Sequence, residues 1–242
     1  VTQGMIRLEI AGAVARIVLD RPQKRNALSS QLLTELRTRL EDVAASDVRV
    51  VQLIGEGPVF CAGADTVEFA DTPPELVRRR WTRLGQQVFR AVAELPQTTV
   101  AVLAGSAFGG GLELAMHCDF RVAADNVVLG LPEATLGTTP GWSGLGKISE
   151  IAGLAAARKL ALTGRPIGAA EALRLGIVDV VAADVHSAAD SLVRDVLDTA
   201  PGAQSILKRA LASSAPADAA SLIDSLAGGY LAASGETHSR RH

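Results

Sequence analysis

The sequence predicts an α/β fold with largely parallel strands and a small helical C-terminal region. Three observations predict it. Segments of strand and helix period alternate through most of the chain, which implies crossover connections and parallel pairing. Two of the strands run directly into glycine-rich stretches, residues 55–65 and 105–119. From Ser149 onward strand signals nearly vanish, apart from residues 177–181, and the composition shifts near Pro166 to Ala-rich helical patterns. The expected division is a core over residues 1–165 and a helical region over 166–242.

The elements follow in order. Ile6, Leu8 and Ile10 alternate, Ala11-Gly12 turns, and residues 14–19 alternate again, which is a β-hairpin. A basic loop over residues 20–26 leads to Ser29 or Ser30 as N-cap of a helix whose face carries Leu32, Leu33, Leu36, Leu40 and Val43. Residues 48–54 read as a strand entering the first glycine-rich loop. An amphipathic helix is expected over 74–95, carrying Leu76, Trp81, Leu84, Val88 and Val92. Residues 100–104, between Pro96 and Gly105, read as a buried strand, and Leu112, Leu114, Ala115 and Met116 as a helix. Residues 120–123 and 127–129 are short strands before Leu131-Pro132-Glu133. Residues 137–146, rich in Gly, Thr and Pro, are expected to be loop.

Composition narrows the function classes. A chain of 242 residues with 48% hydrophobic and 21% charged residues is globular. No apolar run reaches membrane-spanning length and no signal peptide is visible, so a soluble, cytoplasmic protein without a membrane partner is expected. A net charge of −2 supplies no overall attraction to nucleic acid. Cys61 and Cys118 are too few for a disulfide scaffold and read as reduced packing residues.

The chemistry concentrates at Gly109-Gly110-Gly111. These glycines stand where a strand hands over to a helix, so a backbone N–H there has no helical partner and a ligand can approach closely. Glu113 lies three residues past Gly110, which puts its carboxylate on the same face as that N–H if the helix begins there. A tight turn with a carboxylate near a helix N-terminus is the alternative reading of the same residues. Residues 141–147 nearly spell a phosphate-binding loop, but Ile148 stands where Ser or Thr should hold magnesium and no strand leads into it. Met116-His117-Cys118-Asp119 cannot wrap one ion, and no metal site is expected.

Taken together, several segments resemble the crotonase family, also called the enoyl-CoA hydratase/isomerase family. They are Arg21-Pro22 with Asn26-Ala27-Leu28, residues 60–65, residues 105–119, residues 131–137 with Pro140-Gly141, and Thr163-Gly164 through residues 169–178. The resemblance covers roughly residues 5–213 and implies a crotonase-like spiral of stacked ββα units, a small helical region used in oligomerisation, and assembly as a trimer or hexamer. It implies acyl-CoA chemistry through an enolate-like intermediate, with no cofactor beyond the coenzyme A moiety of the substrate.

By motif position the amides of Ala64 and Gly110 resemble the pair that holds the thioester oxygen. Losing one such donor costs about 3–4 kcal/mol in other systems. Glu113 resembles the residue that activates water, Glu133 the one that protonates the α-carbon, and Gly141 the glycine whose backbone helps hold the water. Ala62 to Asp65 resembles the segment along the adenine and pantetheine. Lys24 and Arg25 are candidates for the phosphates, or simply a solvated basic loop. The function implied is hydration of a 2-enoyl-CoA to a 3-hydroxyacyl-CoA. Another reaction of the family (isomerisation, decarboxylation or hydrolysis) and non-catalytic acyl-CoA binding are the alternatives. Three departures bear on this. Trp142 follows Gly141 where small residues are usual and is expected to shorten or reshape the acyl pocket. Leu129 stands where Phe is common. The tail over residues 235–242 lacks the usual last helix with its Lys and aromatic, so weaker CoA contacts are expected.

Overall fold

The computed structural model describes residues 4–212, 226–230 and 233. Strands β1 (Met5–Ala11) and β2 (Val14–Asp20) form the predicted antiparallel hairpin, turning at Gly12. A 3-10 turn, Pro22–Lys24, leads to helix α1 (Ser30–Ala44). Ser29 is its N-cap, accepting from the amide of Leu32, and all of the predicted apolar stripe is buried. β3 (Val50–Gly55) and β4 (Val59–Cys61) follow, then α2 (Thr66–Asp71).

The helix expected over 74–95 is present as one unbroken run from Pro74 to Glu94 with a π-helical turn inside it. It comprises α3 (Pro74–Leu76), a π-helical turn Val77–Trp81, and α4 (Thr82–Glu94). A π-turn widens the helix locally and shifts the register of the side chains after it. Here it carries Trp81 inward, 7% exposed, while Arg78, Arg79 and Arg80 stay outside.

β5 (Thr98–Leu103), β6 (Ser106–Phe108) and α5 (Gly110–Met116) confirm the strand-to-helix passage at the glycines. β7 (Phe120–Ala124) and β8 (Val128–Gly130) follow. The expected loop over 137–146 ends early, because α6 (Gly144–Thr163) begins at Gly144. That glycine is required by contact: a Cβ there would lie 2.3 Å from Cγ of Glu113. After β9 (Ile167–Gly168) and α7 (Ala169–Arg174), the strand expected over 177–181 is confined to β10 (Val180–Ala182), with Ile177 and Val178 buried ahead of it. Helices α8 (Val185–Leu197) and α9 (Pro201–Ala212) complete the labelled elements. The residues over 235–242 lie outside the described residues.

Two sheets result. One runs β1-β2-β3-β5-β7-β10, parallel from β2 onward, and the other β4-β6-β8-β9, with only the β8/β9 pair antiparallel. Successive strands alternate between the sheets, β3 to β4, β5 to β6 and β7 to β8, which is the stacked spiral. The residues after 165 contribute a strand to each sheet. Arg121, on β7 and 3% exposed, ties them down: Nε donates to the Ile177 carbonyl at 2.9 Å, Nη1 to the Cys118 carbonyl at 2.8 Å, and Nη2 to Asp179 Oδ2 at 2.8 Å.

Candidate active site

Strands β4, β6 and β8 of the smaller sheet end side by side, and the segment after each one builds part of one cavity. After β4 the chain makes a parallel bridge to Leu28: the Leu28 amide donates to the Gly63 carbonyl at 2.7 Å and the Asp65 amide to the Leu28 carbonyl at 2.9 Å. The Ala64 amide between them donates to nothing among the described residues. After β6, Gly109 turns with φ +52°, donates to the Gly130 carbonyl at 2.9 Å, and accepts from the Glu113 amide at 2.9 Å. Gly110 is the first helical residue, so its amide has no intrahelical acceptor. Gly63, at φ +96°, brings the two turns into contact, since a Cβ on it would lie 2.8 Å from the Phe108 carbonyl oxygen and 3.0 Å from the Gly110 nitrogen. Two unpaired amides from separate loops therefore share one small region.

This arrangement is braced from outside the cavity. Asn26 is fully buried. Its Oδ1 accepts from the Arg21 amide at 2.8 Å, and its Nδ2 donates to the carbonyls of Glu56, Val59 and Phe60 at 2.9, 2.8 and 3.2 Å. Arg21 Nη1 reaches the Ala27 carbonyl at 2.9 Å and Asp65 Oδ2 at 2.6 Å. Asp65 also caps α2, with Oδ1 accepting from the amides of Val67 and Glu68. Burial alone would raise the Asp65 pKa, but Arg21 and the capping amides outweigh it and the net shift is downward. Sequence reasoning treated Arg21 and Asn26 only as family markers. No periodicity signals that they clamp the loop bearing Ala64.

Two carboxyl groups line the same cavity of about 370 Å³ as Ala62, Ala64, Gly110 and Gly141. Glu113 is 2% exposed, and its Oε1 accepts from the amides of Trp142 at 3.0 Å and Gly144 at 2.8 Å. Burial raises its pKa, opposed by these amides and by that of Gly141. Glu133 is half-buried on the 3-10 turn Glu133–Leu136, with Oε2 enclosed and unpartnered. Burial pushes its pKa up to about 7, its own amide pulls it down, and the charge of Glu113 pushes it up again. Its Oε1 lies 2.7 Å from where a Cβ of Gly109 would stand, so only glycine there lets the carboxyl rest against the turn. One carboxyl is pinned as an acceptor and its neighbour is held near its midpoint at neutral pH. Two carboxyls held in such different states can serve as base and acid in one cavity.

The remaining candidates fall on the rim. Lys24 and Arg25 are exposed and do not line the cavity, although the Arg25 carbonyl accepts from the Ala62 amide at 2.9 Å. Lys24 and Asp65 instead border a neighbouring shallow groove with Arg21 and Ser29. His117 is packed, with Nδ1 2.7 Å from the Glu113 carbonyl and its ring edge-on to Phe89. Both cysteines are free and buried, as expected. No group of three or more potential metal ligands occurs among the described residues. Trp81 and Trp142 are each singled out by the sequence, but their packing on each other with Phe69 into one aromatic wall is not.

Residues 9–226 match the family described as Enoyl-CoA hydratase/isomerase. A Short-chain-enoyl-CoA hydratase of Clostridium acetobutylicum is 36% identical over 208 residues, covering 84% of this chain and 79% of its own. The crystal structure of an enoyl-CoA hydratase from Thermoplasma volcanium GSS1 superposes with a TM-score of 0.90 at 30% identity, over 96% of this chain and 93% of that one. A Thermobifida fusca YX protein solved in complex with CoA gives 0.87 at 32% identity, over 95% and 93%.

Proposed function

The chain belongs to the enoyl-CoA hydratase/isomerase family, and from that premise we propose that it hydrates a 2-enoyl-CoA to the 3-hydroxyacyl-CoA. The observation that carries this reading is the pairing of Glu113, anchored by two amides, with Glu133, held up to about 7, beside two unpaired backbone donors. In the proposed reaction the thioester oxygen accepts from the Ala64 and Gly110 amides. Glu113 takes a proton from water as the water oxygen bonds to the β-carbon. The electron pair of the double bond moves toward the thioester oxygen, where the two donors stabilise the developing charge more than they stabilise the substrate. Protonated Glu133 then delivers its proton to the α-carbon. Exchange with solvent returns Glu113 to carboxylate and Glu133 to acid.

In this reading Gly141 helps hold the water, the stretch from Ala62 to Asp65 lies along the coenzyme A moiety, and Lys24 and Arg25 meet its phosphates. Asp65 contributes through its structure, since its carboxylate is already engaged by Arg21 and the α2 amides. The proposal includes assembly as a trimer or hexamer and turnover without a metal or redox cofactor. Among the described residues no helix is long and apolar enough to cross a membrane.

The test is mass-spectrometric turnover on short, long and aromatic enoyl-CoAs. Gain of one water by at least one substrate, with a loss of about a hundredfold or more in both Glu113→Gln and Glu133→Gln, is the expected result. A product of unchanged mass with a moved double bond would assign an isomerase instead.

A further inference from the structure

The proposed reaction leaves the side chain of one cavity residue without a role. Trp142 is the largest of the fully buried side chains, 1% exposed, and its indole occupies a slot between α4 and the start of α5. A Cβ at Gly85 would stand 2.2 Å from its Nε1, and one at Gly110 would stand 2.3 Å from its Cζ3. Neither glycine has a positive φ, so neither is there to make a turn. Gly85 stands inside α4, where glycine is disfavoured relative to alanine. Both glycines make room for the indole. Trp81 packs on it at 4.7 Å between ring centroids and Phe89 edge-on at 5.2 Å, and Trp81 meets Phe69 at 5.3 Å.

The position of this wall relative to the reacting atoms gives it a role. With the thioester oxygen at the Ala64 and Gly110 amides and the β-carbon between Glu113 and Glu133, the coenzyme arm leaves past Ala62. The acyl group is left to face the other walls of the cavity: Pro74, Val77, Leu136 and the aromatic set of Phe69, Trp81 and Trp142. The glycines hold the indole at both ends and Phe89 backs it, so it cannot swing aside for a longer chain. We propose that Trp142 is a specificity-determining residue that closes the acyl pocket beneath Gly110 and restricts it to short acyl groups such as crotonyl. This rests on the reading of the cavity as an enoyl-CoA site.

The test uses saturated butyryl-CoA and decanoyl-CoA, which cannot add water, titrated calorimetrically into the full chain and its Trp142→Ala and Trp142→Phe variants. Each protein is first checked for cooperative melting. The unaltered chain is expected to bind butyryl-CoA at least about tenfold more tightly than decanoyl-CoA, since an ill-fitting methylene in an apolar pocket costs about tenfold or more. Trp142→Ala is expected to cut that ratio by about tenfold or more, and Trp142→Phe by a smaller factor in the same direction. If Trp142→Ala does not fold, Trp142→Phe carries the test. Equal binding of both thioesters by the unaltered chain would overturn the proposal. So would a folded Trp142→Phe in which both affinities fall in parallel with their ratio unchanged, the signature of a merely structural indole. Chain-length preference without hydration in the turnover assay would remove the hydratase reading and leave this one standing. Hydration with no chain-length preference would do the reverse.

Discussion

Glu133→Gln is expected to stabilise the fold in mild alkali while disabling turnover. Burial lifts the Glu133 carboxyl from its ordinary 4.5 to about 7, so the folded chain holds this proton more tightly than the unfolded chain does. Between those values the folded state carries more bound protons, and stability must fall as pH rises through the window. The rise from 4.5 to about 7 corresponds to about 3.4 kcal/mol for a fully desolvated group. Glu133 is only half-buried, and screening by solvent reduces this to roughly 1.5–2 kcal/mol. Glutamine has nearly the same shape and no charge to desolvate. The stability difference between variant and wild type should therefore be smallest below about pH 4.5 and grow by roughly 1.5–2 kcal/mol by about pH 8. Urea unfolding at fixed protein concentration across that range measures it. A difference that does not change with pH would refute the reasoning, because Glu133 would then not be held neutral by the fold.

Other perturbations follow from the same geometry. Asp65→Ala removes the α2 cap and the partner of Arg21 together, so a loss of about 1–2 kcal/mol in thermal unfolding is expected, with turnover falling further than the modest stability loss explains because the Ala64 loop loosens. Stability loss with unchanged turnover would detach the brace from the donor. Arg121→Ala leaves the Ile177 and Cys118 carbonyls without their buried donor and Asp179 with only the backbone amide of residue 121, and should cost about 3 kcal/mol in urea unfolding. A cost below about 1 kcal/mol would mean that the chain after 165 is held by its other ties, such as the Arg49 bonds to α8 and the β7/β10 ladder, and not by the Arg121 side chain.

The spiral was legible in sequence where one local signal decides the outcome. Alternation marked the β1/β2 hairpin, leucine spacing marked α1, and the glycine-rich stretches after β3 and β5 marked the two loops that now meet, though not the short strands β4 and β6 inside them. Glu113 and Glu133 were legible through resemblance, and the cavity does bring them together. What stayed hidden depends on contacts distant in the chain. The π-turn at Val77–Trp81 lies inside an amphipathic pattern that reads as a regular helix, although Trp81 is on the face that pattern assigns it. Gly144 opens a helix inside the expected loop, and its first amide donates to Glu113, 31 residues away. Asn26 looks like an ordinary loop residue until the Glu56, Val59 and Phe60 carbonyls converge on it. Lys24 and Arg25 show the converse: a run of charge is visible in sequence, but its placement beside the cavity rather than in it is not.

In the proposed reaction Glu113, Glu133 and the Ala64 and Gly110 amides together add water across an α,β double bond. The most direct measurement is turnover of crotonyl-CoA in water labelled with both oxygen-18 and deuterium, with the product resolved by mass spectrometry and NMR. Oxygen-18 is expected at the β-carbon and one deuterium at the α-carbon, with both labels lost in Glu113→Gln and Glu133→Gln. Deuterium appearing in the acyl group without oxygen-18 would contradict it, and would assign these carboxyls to proton transfer alone.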